Sequence, residues 1–245
     1  MQDSTRIIVV SLAMAVGIVL ASSALVSGIS RAGGAESFQQ HPWLRLTLVQ
    51  ILLAGFSMIL MAAIKARSWR QFGFALPGRC PWHWLIILSL TSGMLATTAT
   101  LLVGAGPHSI MAKLSFPQIV LLIWGLASIC EEIFTRGLIQ GFLTPLANRT
   151  VSVGFLSLPV PVLLSAVVFS LMHLGLLFAG TSSATVCIIL IFTFFLGLIA
   201  GHFRQRSGSL IPAIVAHSLG NIGGLLGGIL YFLTRVLLTG QTPGM

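Results

Sequence analysis

Two adjacent acidic residues lie inside a long apolar stretch of the chain, and a basic residue follows them. Glu131 and Glu132 precede Arg136 within residues 118–142. Ionisable side chains at membrane depth are costly and by default indicate a functional site or a partnered cluster. In a helix, Glu132 and Arg136 are four residues apart in the favourable order, so we expect them to pair. Glu131 lies about 100° round the helix, and a carboxylate without a partner in a low dielectric has the setting of a general base.

Two histidines and an amide occupy other apolar stretches. His173 ends the segment Phe169–His173, and Asn221 follows His217 by four residues. Because side chains four residues apart share a helix face, two helices are expected to offer imidazole and amide groups to an interior that already holds Glu131. A single intramembrane histidine is as often a packing residue as a ligand, but two of them with a spare carboxylate favour a functional constellation. Phe169 is interpreted as packing.

The composition indicates an integral membrane protein. Of 245 residues, 56% are hydrophobic and 7% charged, and the mean hydropathy is +1.02, whereas an ordinary soluble domain is about 25% charged. Four acidic residues cannot supply a soluble surface, which excludes a cytosolic globular enzyme. The net charge of +9 is attributed to basic residues in loops that orient the chain in the membrane, and not to nucleic-acid binding. The spacing of Cys80, Cys130 and Cys187 indicates neither a disulfide framework nor a thiolate metal site.

The apolar runs predict an all-α transmembrane bundle of seven or eight helices, forming a single domain over residues 1–245. Only helices or closed barrels satisfy backbone groups in lipid, and these runs are continuous rather than alternating. The length of the first run favours a retained span over a signal peptide. Glycines at 220–228 predict either a break between the last two spans or a close-packed helix interface. The predicted spans are 7–29, 44–64, 84–106, 118–142, 160–179, 184–203, 209–221 and 222–239.

The loop charges predict a cytoplasmic N-terminus. With eight spans, nine basic residues fall inside and three outside, which is the asymmetry of the positive-inside rule. The inside residues are Arg6, Lys65, Arg67, Arg70, Arg79, Arg149, Arg204, Arg206 and Arg235, and the outside residues are Arg31, Arg45 and Lys113. Compact loops and the lack of a recognisable retention signal favour a prokaryotic cell membrane.

Three segments, in order and on separate predicted helices, resemble the motifs of a known family. Residues 131–136, 169–173 and 217–221 are similar to the EExxxR, FxxxH and HxxxN motifs of the CPBP intramembrane proteases, also called the CAAX protease and bacteriocin-processing, or Abi, family. The resemblance covers about residues 118–225. It implies an eight-helix bundle enclosing a water-filled cavity open towards the cytosol.

The resemblance also implies a catalytic role for four side chains. Glu131 and His173 would activate a water molecule for peptide-bond hydrolysis, and His217 and Asn221 would support the oxyanion. No serine or cysteine nucleophile is implied. The expected substrate is a membrane-associated peptide, either CAAX-like, a leader or an anchored segment, and the expected surroundings are membrane lipid without nucleic acid.

The remaining motif residues are expected to support the site. Glu132 and Arg136 would hold the fourth helix in register, with a second catalytic acid as the alternative role of Glu132, and Phe169 would be a packing residue one turn from His173.

The motif residues leave the identity of a cofactor open. The family is often labelled metalloprotease, and Glu131, His173 and His217 are a plausible zinc shell that leaves a position for water. The chain lacks HExxH, and ligands on three helices suit a zinc site and a metal-free glutamate mechanism equally.

Two non-proteolytic functions compete with the endopeptidase. The first is a non-catalytic membrane immunity or cell-envelope scaffold protein, which a family resemblance also permits. The second is an ion- or proton-coupled transporter, since buried Glu, Arg and His can form a relay. No inverted repeat or second acidic pair is evident, which makes the transporter less favoured.

Overall fold

The fold is a bundle of long helices, in agreement with the all-α prediction. The structure, a computed structural model, describes residues 2–64, 68–105, 111–154 and 156–239. Within these residues, seven helices are long and apolar enough to cross a membrane. In chain order they are α1 (Asp3–Gln40), α2 (Pro42–Ala63), α3 (Trp82–Leu102), α4 (Phe116–Phe142), α5 (Val160–Leu177), α6 (Ser183–Ser207) and α7 (Ile211–Thr239). Shorter helices cover Trp69–Phe72, Met111–Lys113 and Thr144–Leu146.

The last two predicted spans form one continuous helix, so of the predicted seven or eight spans the described residues contain seven. Residues 211–239 run without a break through the glycine-rich segment. These glycines form a close interface with α3 instead of a break: a Cβ added at Gly93 would overlap the carbonyl oxygen of Gly220, and one at Gly227 would lie 2.6 Å from the carbonyl oxygen of Met94. Of the two alternatives for this region, the close-packed interface is confirmed.

Three of the long helices depart from regular α geometry. In α1, residues Ser30–Gly34 form a π-helical segment with a kink, where Gly33 has a φ of 108°. In α4, π-helical segments at Ile119–Ala127 and Ile133–Ile139 flank a short α-helical stretch, Ser128–Glu132. Helix α5 ends as a 3₁₀ helix at Met172–Leu177. Because π-helical turns often accompany functional sites, the irregularity of α4 draws attention to its acidic pair.

A small β-hairpin that the sequence did not predict joins α4 to α5. Strands β1 (Thr150–Val153) and β2 (Leu156–Pro159) pair antiparallel, with Thr150 opposite Pro159. The backbone N–H of Val160 also donates to the carbonyl oxygen of Arg149 at 2.9 Å, so the hairpin leads directly into the start of α5.

Helix α4 lies at the centre of the bundle. It packs against α1, α2, α5 and α7, and Phe134, Leu138 and Ile139 are fully buried among these neighbours. Residues 130–141 of α4 are buried with the exception of Ile133, so the polar side chains of this half of the helix cannot reach solvent. The charged residues of α4 must therefore find partners within the protein.

The segment that follows α2 docks onto the turn between α6 and α7. Helix α6 ends at Gly208, whose φ of 71° is the left-handed conformation of a helix C-cap. Just beyond it, the Ser209 hydroxyl donates to the carbonyl oxygen of Ala75 at 2.6 Å, and the Leu210 N–H donates to that of Gly73 at 2.9 Å. These bonds close one end of the bundle.

Seven crossings change the predicted distribution of the loop charges. A single final helix moves Arg235 to the side opposite Arg206, which leaves eight basic residues on the predicted inside and four on the outside. Lys65 and Arg67, which are among those eight, lie outside the described residues, as does residue 106 at the end of the predicted third span.

Candidate active site

Glu131 has a buried hydrogen-bond donor from another helix. The amide Nε2 of Gln50, on α2, donates to Glu131 Oε1 at 2.7 Å. Only 7% of Glu131 and 5% of Gln50 are exposed. The expectation that Glu131 has no partner is therefore wrong: one carboxylate oxygen is held by a neutral amide, and the other is left for further contacts.

Glu132 and Arg136 form the predicted ion pair. Arg136 Nη1 lies 3.1 Å from Glu132 Oε1, and both side chains are fully buried. The same guanidinium lies over the Phe169 ring at 4.5 Å from its centroid. Taking both charges out of water is costly, so the stability of this pair depends on the hydrogen-bond and charge partners that surround it.

His217 connects the two carboxylates. Its Nδ1 lies 3.0 Å from Glu132 Oε1, and its Nε2 lies 3.9 Å from Glu131 Oε2. Although Glu131 and Glu132 project from different faces of α4, one imidazole from α7 reaches both. The first distance is a hydrogen bond, whereas the second exceeds hydrogen-bond length and leaves room for an intervening group.

His173 and His217 both contact Phe169. The Phe169 ring is fully buried and meets both imidazoles edge to face, with centroid distances of 5.2 Å to His173 and 5.1 Å to His217. His173 Nδ1 is 2.8 Å from the carbonyl oxygen of Phe169. Since a carbonyl can only accept, Nδ1 carries the proton, and in neutral His173 the lone pair is on Nε2. Phe169 therefore orients both histidines.

Asn221 is bonded to α4 in this structure. Its Nδ2 donates to the carbonyl oxygen of Ile123 at 3.3 Å and to Ser128 Oγ at 3.4 Å. One turn earlier, the Ser218 hydroxyl donates to the carbonyl oxygen of Trp124 at 2.7 Å. These contacts join α7 to α4 beside His217, and a role of Asn221 at the oxyanion stays a prediction.

Several polar residues around the motifs were missed. Gln50 is an isolated amide in the apolar run 44–64, and that isolation is the signal that could have found it. In α4, polar residues recur every four positions and form a polar row of Ser128, Glu132, Arg136 and Gln140. Gln140 bonds to the carbonyl oxygen of Gly201 at 2.9 Å, which fixes the row against α6.

The three candidate zinc ligands do not converge as a metal site. Among the residues that the structure describes, no group of three or more His, Cys, Asp or Glu side chains is arranged to hold a metal ion. The 3.9 Å between His217 Nε2 and Glu131 Oε2 is also wider than the roughly 3.3 Å between two ligands of a tetrahedral zinc. In this arrangement the three side chains do not form a zinc shell, and zinc dependence stays a prediction.

Two cavities in the described part of the chain lie away from the three motifs, and no motif residue lines either of them. One, of about 300 Å³, lies at the end of the bundle beside Arg70 and Arg204. The other, of about 220 Å³, lies beside Ser30 and Arg45. A water-filled cavity around Glu131 therefore stays a prediction.

Comparison with known proteins agrees with the motifs. Residues 113–223 match the family model described as type II CAAX prenyl endopeptidase, Rce1-like. This segment contains all three motifs and nearly coincides with the predicted core at 118–225. No curated protein and no solved structure was found to match the chain.

Proposed function

We propose, from the match of residues 113–223 to the type II CAAX prenyl endopeptidase (Rce1-like) family model, that the chain is an intramembrane endopeptidase whose water nucleophile is activated by Glu131 and His173. The substrate would be a membrane-associated peptide. The observation that carries the proposal is the pair of facing atoms Glu131 Oε2 and His217 Nε2, 3.9 Å apart inside the bundle.

The gap between these atoms suits a water molecule. A water about 2.8 Å from each atom would hydrogen-bond to both. Because Gln50 already donates to Glu131 Oε1, Oε2 is the oxygen that accepts the proton of the water. The Nε2 lone pair of His173 supplies a second acceptor, which orients the water for attack.

His217 is suited to stabilise the developing negative charge. In the proposed mechanism His217 carries a proton on both nitrogens before the reaction begins: Nδ1–H donates to Glu132, and Nε2–H donates to the oxyanion of the tetrahedral intermediate and keeps its proton. Glu132 stabilises the resulting imidazolium, as a buried carboxylate does beside a catalytic histidine. Asn221 would act by holding α7 against α4, and direct contact with the oxyanion requires release of its two present bonds.

The reaction balances without another reactant. Water loses a proton to Glu131, and its oxygen forms a bond to the peptide carbonyl carbon while the C–O π electrons move to oxygen. Collapse of the intermediate breaks the C–N bond, and the proton held by Glu131 passes to the leaving nitrogen. The products are a carboxylic acid and an amine, which become a carboxylate and an ammonium when the proton passes between them.

The experiment compares newly formed peptide termini in membranes of cells that make the wild type, Glu131→Gln or Glu36→Gln at equal levels. Glu36 is exposed and far along the chain from the motifs, so it controls for loss of one acid. Termini present with the wild type and Glu36→Gln but absent with Glu131→Gln are expected, and they would identify both substrate and scissile bond. If no terminus depends on Glu131 while the cellular phenotype persists in Glu131→Gln, the scaffold function replaces the protease.

Metal dependence is tested separately on the purified protein. Treatment with a zinc chelator is expected to leave the proteolytic rate unchanged, because the proposed proton transfers use only side chains. Loss of activity on chelation and its return on adding zinc would overturn the metal-free mechanism, and it would leave the protease assignment intact.

A further inference from the structure

We propose that the cavity at the α4–α6 end of the bundle is a phosphate-binding site that takes the headgroup of an anionic lipid. It is called here the basic cavity, and its lining includes Arg70, Gln71, Gln140, Thr144 and Arg204. This site is separate from the acidic pair, since none of the motif residues lines it.

The central observation is a buried guanidinium without a negative partner. Arg204 is 7% exposed, and none of the four acidic side chains of the protein, all of which lie in the described residues, forms an ion pair with it. Its Nη2 donates to the carbonyl oxygen of Gln71 at 2.6 Å, and its Nε has no hydrogen-bond partner in the described structure. A buried charge that lacks a counter-ion is strongly unfavourable, so an anion from outside the chain would complete this environment.

The other lining groups suit an oxyanion. Arg70 is exposed at the rim and adds a second positive charge, and Thr144 and Gln71 lie beside it with polar side chains. Guanidinium groups bind phosphate with two parallel hydrogen bonds. A volume of about 300 Å³ is large enough for a phosphate and its glycerol, but not for a folded partner.

The location favours a lipid as the source of the phosphate. Arg204 lies in the last turn of α6, and Arg70 lies in the short helix Trp69–Phe72, so the basic cavity opens at the level where the long helices end. Trp69 is 45% exposed next to Arg70, and tryptophan is enriched at the membrane interface. Basic pockets between transmembrane helices are typical sites for anionic headgroups.

The test measures binding of two probes to the purified full-length protein. Native mass spectrometry in a zwitterionic detergent would give the affinity for dioleoylphosphatidylglycerol, with dioleoylphosphatidylcholine as the neutral-headgroup comparison, and a separate titration would use inorganic phosphate. Arg204→Gln is expected to weaken phosphatidylglycerol binding about tenfold or more, as loss of a charge-assisted bond does. Arg149→Gln removes an exposed charge near this end without changing the cavity lining, and its affinity should stay within about twofold of the wild type.

A second cavity variant and the phosphate titration give the experiment a clear outcome even if one variant does not fold. Should Arg204→Gln fail to fold, Arg70→Gln changes the exposed rim of the same cavity and is expected to weaken binding in the same direction. If inorganic phosphate binds in a manner that depends on Arg204 but phosphatidylglycerol does not bind, the cavity is an anion site whose ligand is dissolved phosphate and not a lipid headgroup. Equal affinities in the wild type and both cavity variants, or an equal loss in Arg149→Gln, would overturn the proposal.

Discussion

At the scale of residues, the site is a network of buried side chains in which each holds the next through a hydrogen bond or an ion pair. Gln50 holds one oxygen of Glu131, His217 meets both carboxylates, and Arg136 balances Glu132. Each of these groups is buried, so removing one leaves its neighbour without a partner in a low dielectric. The expected effect of a substitution therefore depends on which neighbouring atom loses its hydrogen-bond or charge partner.

Gln50→Leu is expected to lower the rate constant of proteolysis by about 10- to 100-fold with little change in KM. The substitution keeps the volume of the side chain but removes the amide that selects Oε2 of Glu131 as the base, an effect of about 1.5–3 kcal/mol for a bond to a charged group. Single-turnover kinetics on the purified protein would measure it. Thr47→Val on the same helix is the matched control, because the Thr47 hydroxyl bonds only to its own helix at Trp43. Equal rates in the wild type and Gln50→Leu would remove Gln50 from the site.

Arg136→Met is expected to destabilise the protein by about 3–5 kcal/mol, because it leaves the carboxylate of Glu132 buried with an incomplete set of partners. Combining it with Glu132→Gln should recover part of that loss, since the uncompensated charge is then removed as well. Thermal unfolding in detergent would measure both variants. If the loss of stability in the double variant equals the sum of the losses in the two single variants, Glu132 and Arg136 do not stabilise each other.

At the scale of elements, the glycines of α7 and the polar row of α4 determine how the helices meet. Lipid supplies little driving force for association between apolar helices, so close backbone packing and internal hydrogen bonds carry it. Gly93 and Gly223 allow α3 and α7 to approach until backbone faces backbone. On α4, the row contacts α6 through Gln140 and α7 through Glu132.

Gly223→Ala is expected to lower the midpoint of thermal unfolding, with a loss of about 1–3 kcal/mol or more from overpacking. A Cβ at this position would overlap the carbonyl oxygen of Leu90, which belongs to the backbone and cannot rotate away. The matched control is Gly228→Ala on the same helix, where the nearest atom is Thr97 Cγ2 at 3.7 Å, an ordinary van der Waals contact. Equal midpoints for the two variants would contradict the close interface.

At the scale of the whole molecule, seven crossings require the two ends of the chain to lie on opposite sides of the membrane. The distribution of basic residues predicts, by the positive-inside rule, that the N-terminus is cytoplasmic. Fusions of a reporter that is active on only one side, made at each end, would test this. We expect a cytoplasmic signal from the N-terminal fusion alone. Signals from the same side at both ends would contradict a single crossing by Ile211–Thr239.

The sequence by itself determined the membrane class, the helical fold, the three motifs and the pairing of Glu132 with Arg136. These features depend on composition and on spacing within one helix, and both can be read along the chain. The family model over residues 113–223 agrees with the motifs for the same reason, because it is also a pattern in the sequence.

Only the tertiary structure decided which residues of different helices meet. Gln50 and Glu131 are 81 positions apart, and nothing local to α2 indicates that its single buried amide faces the acidic pair. The count of helices depended on packing as well: the glycines at 220–228 read equally as a break or as an interface until α3 was seen to lie against them. Contacts between distant segments follow from how the helices pack in three dimensions, and that packing gave Glu131 a donor and left Arg204 without a negative partner.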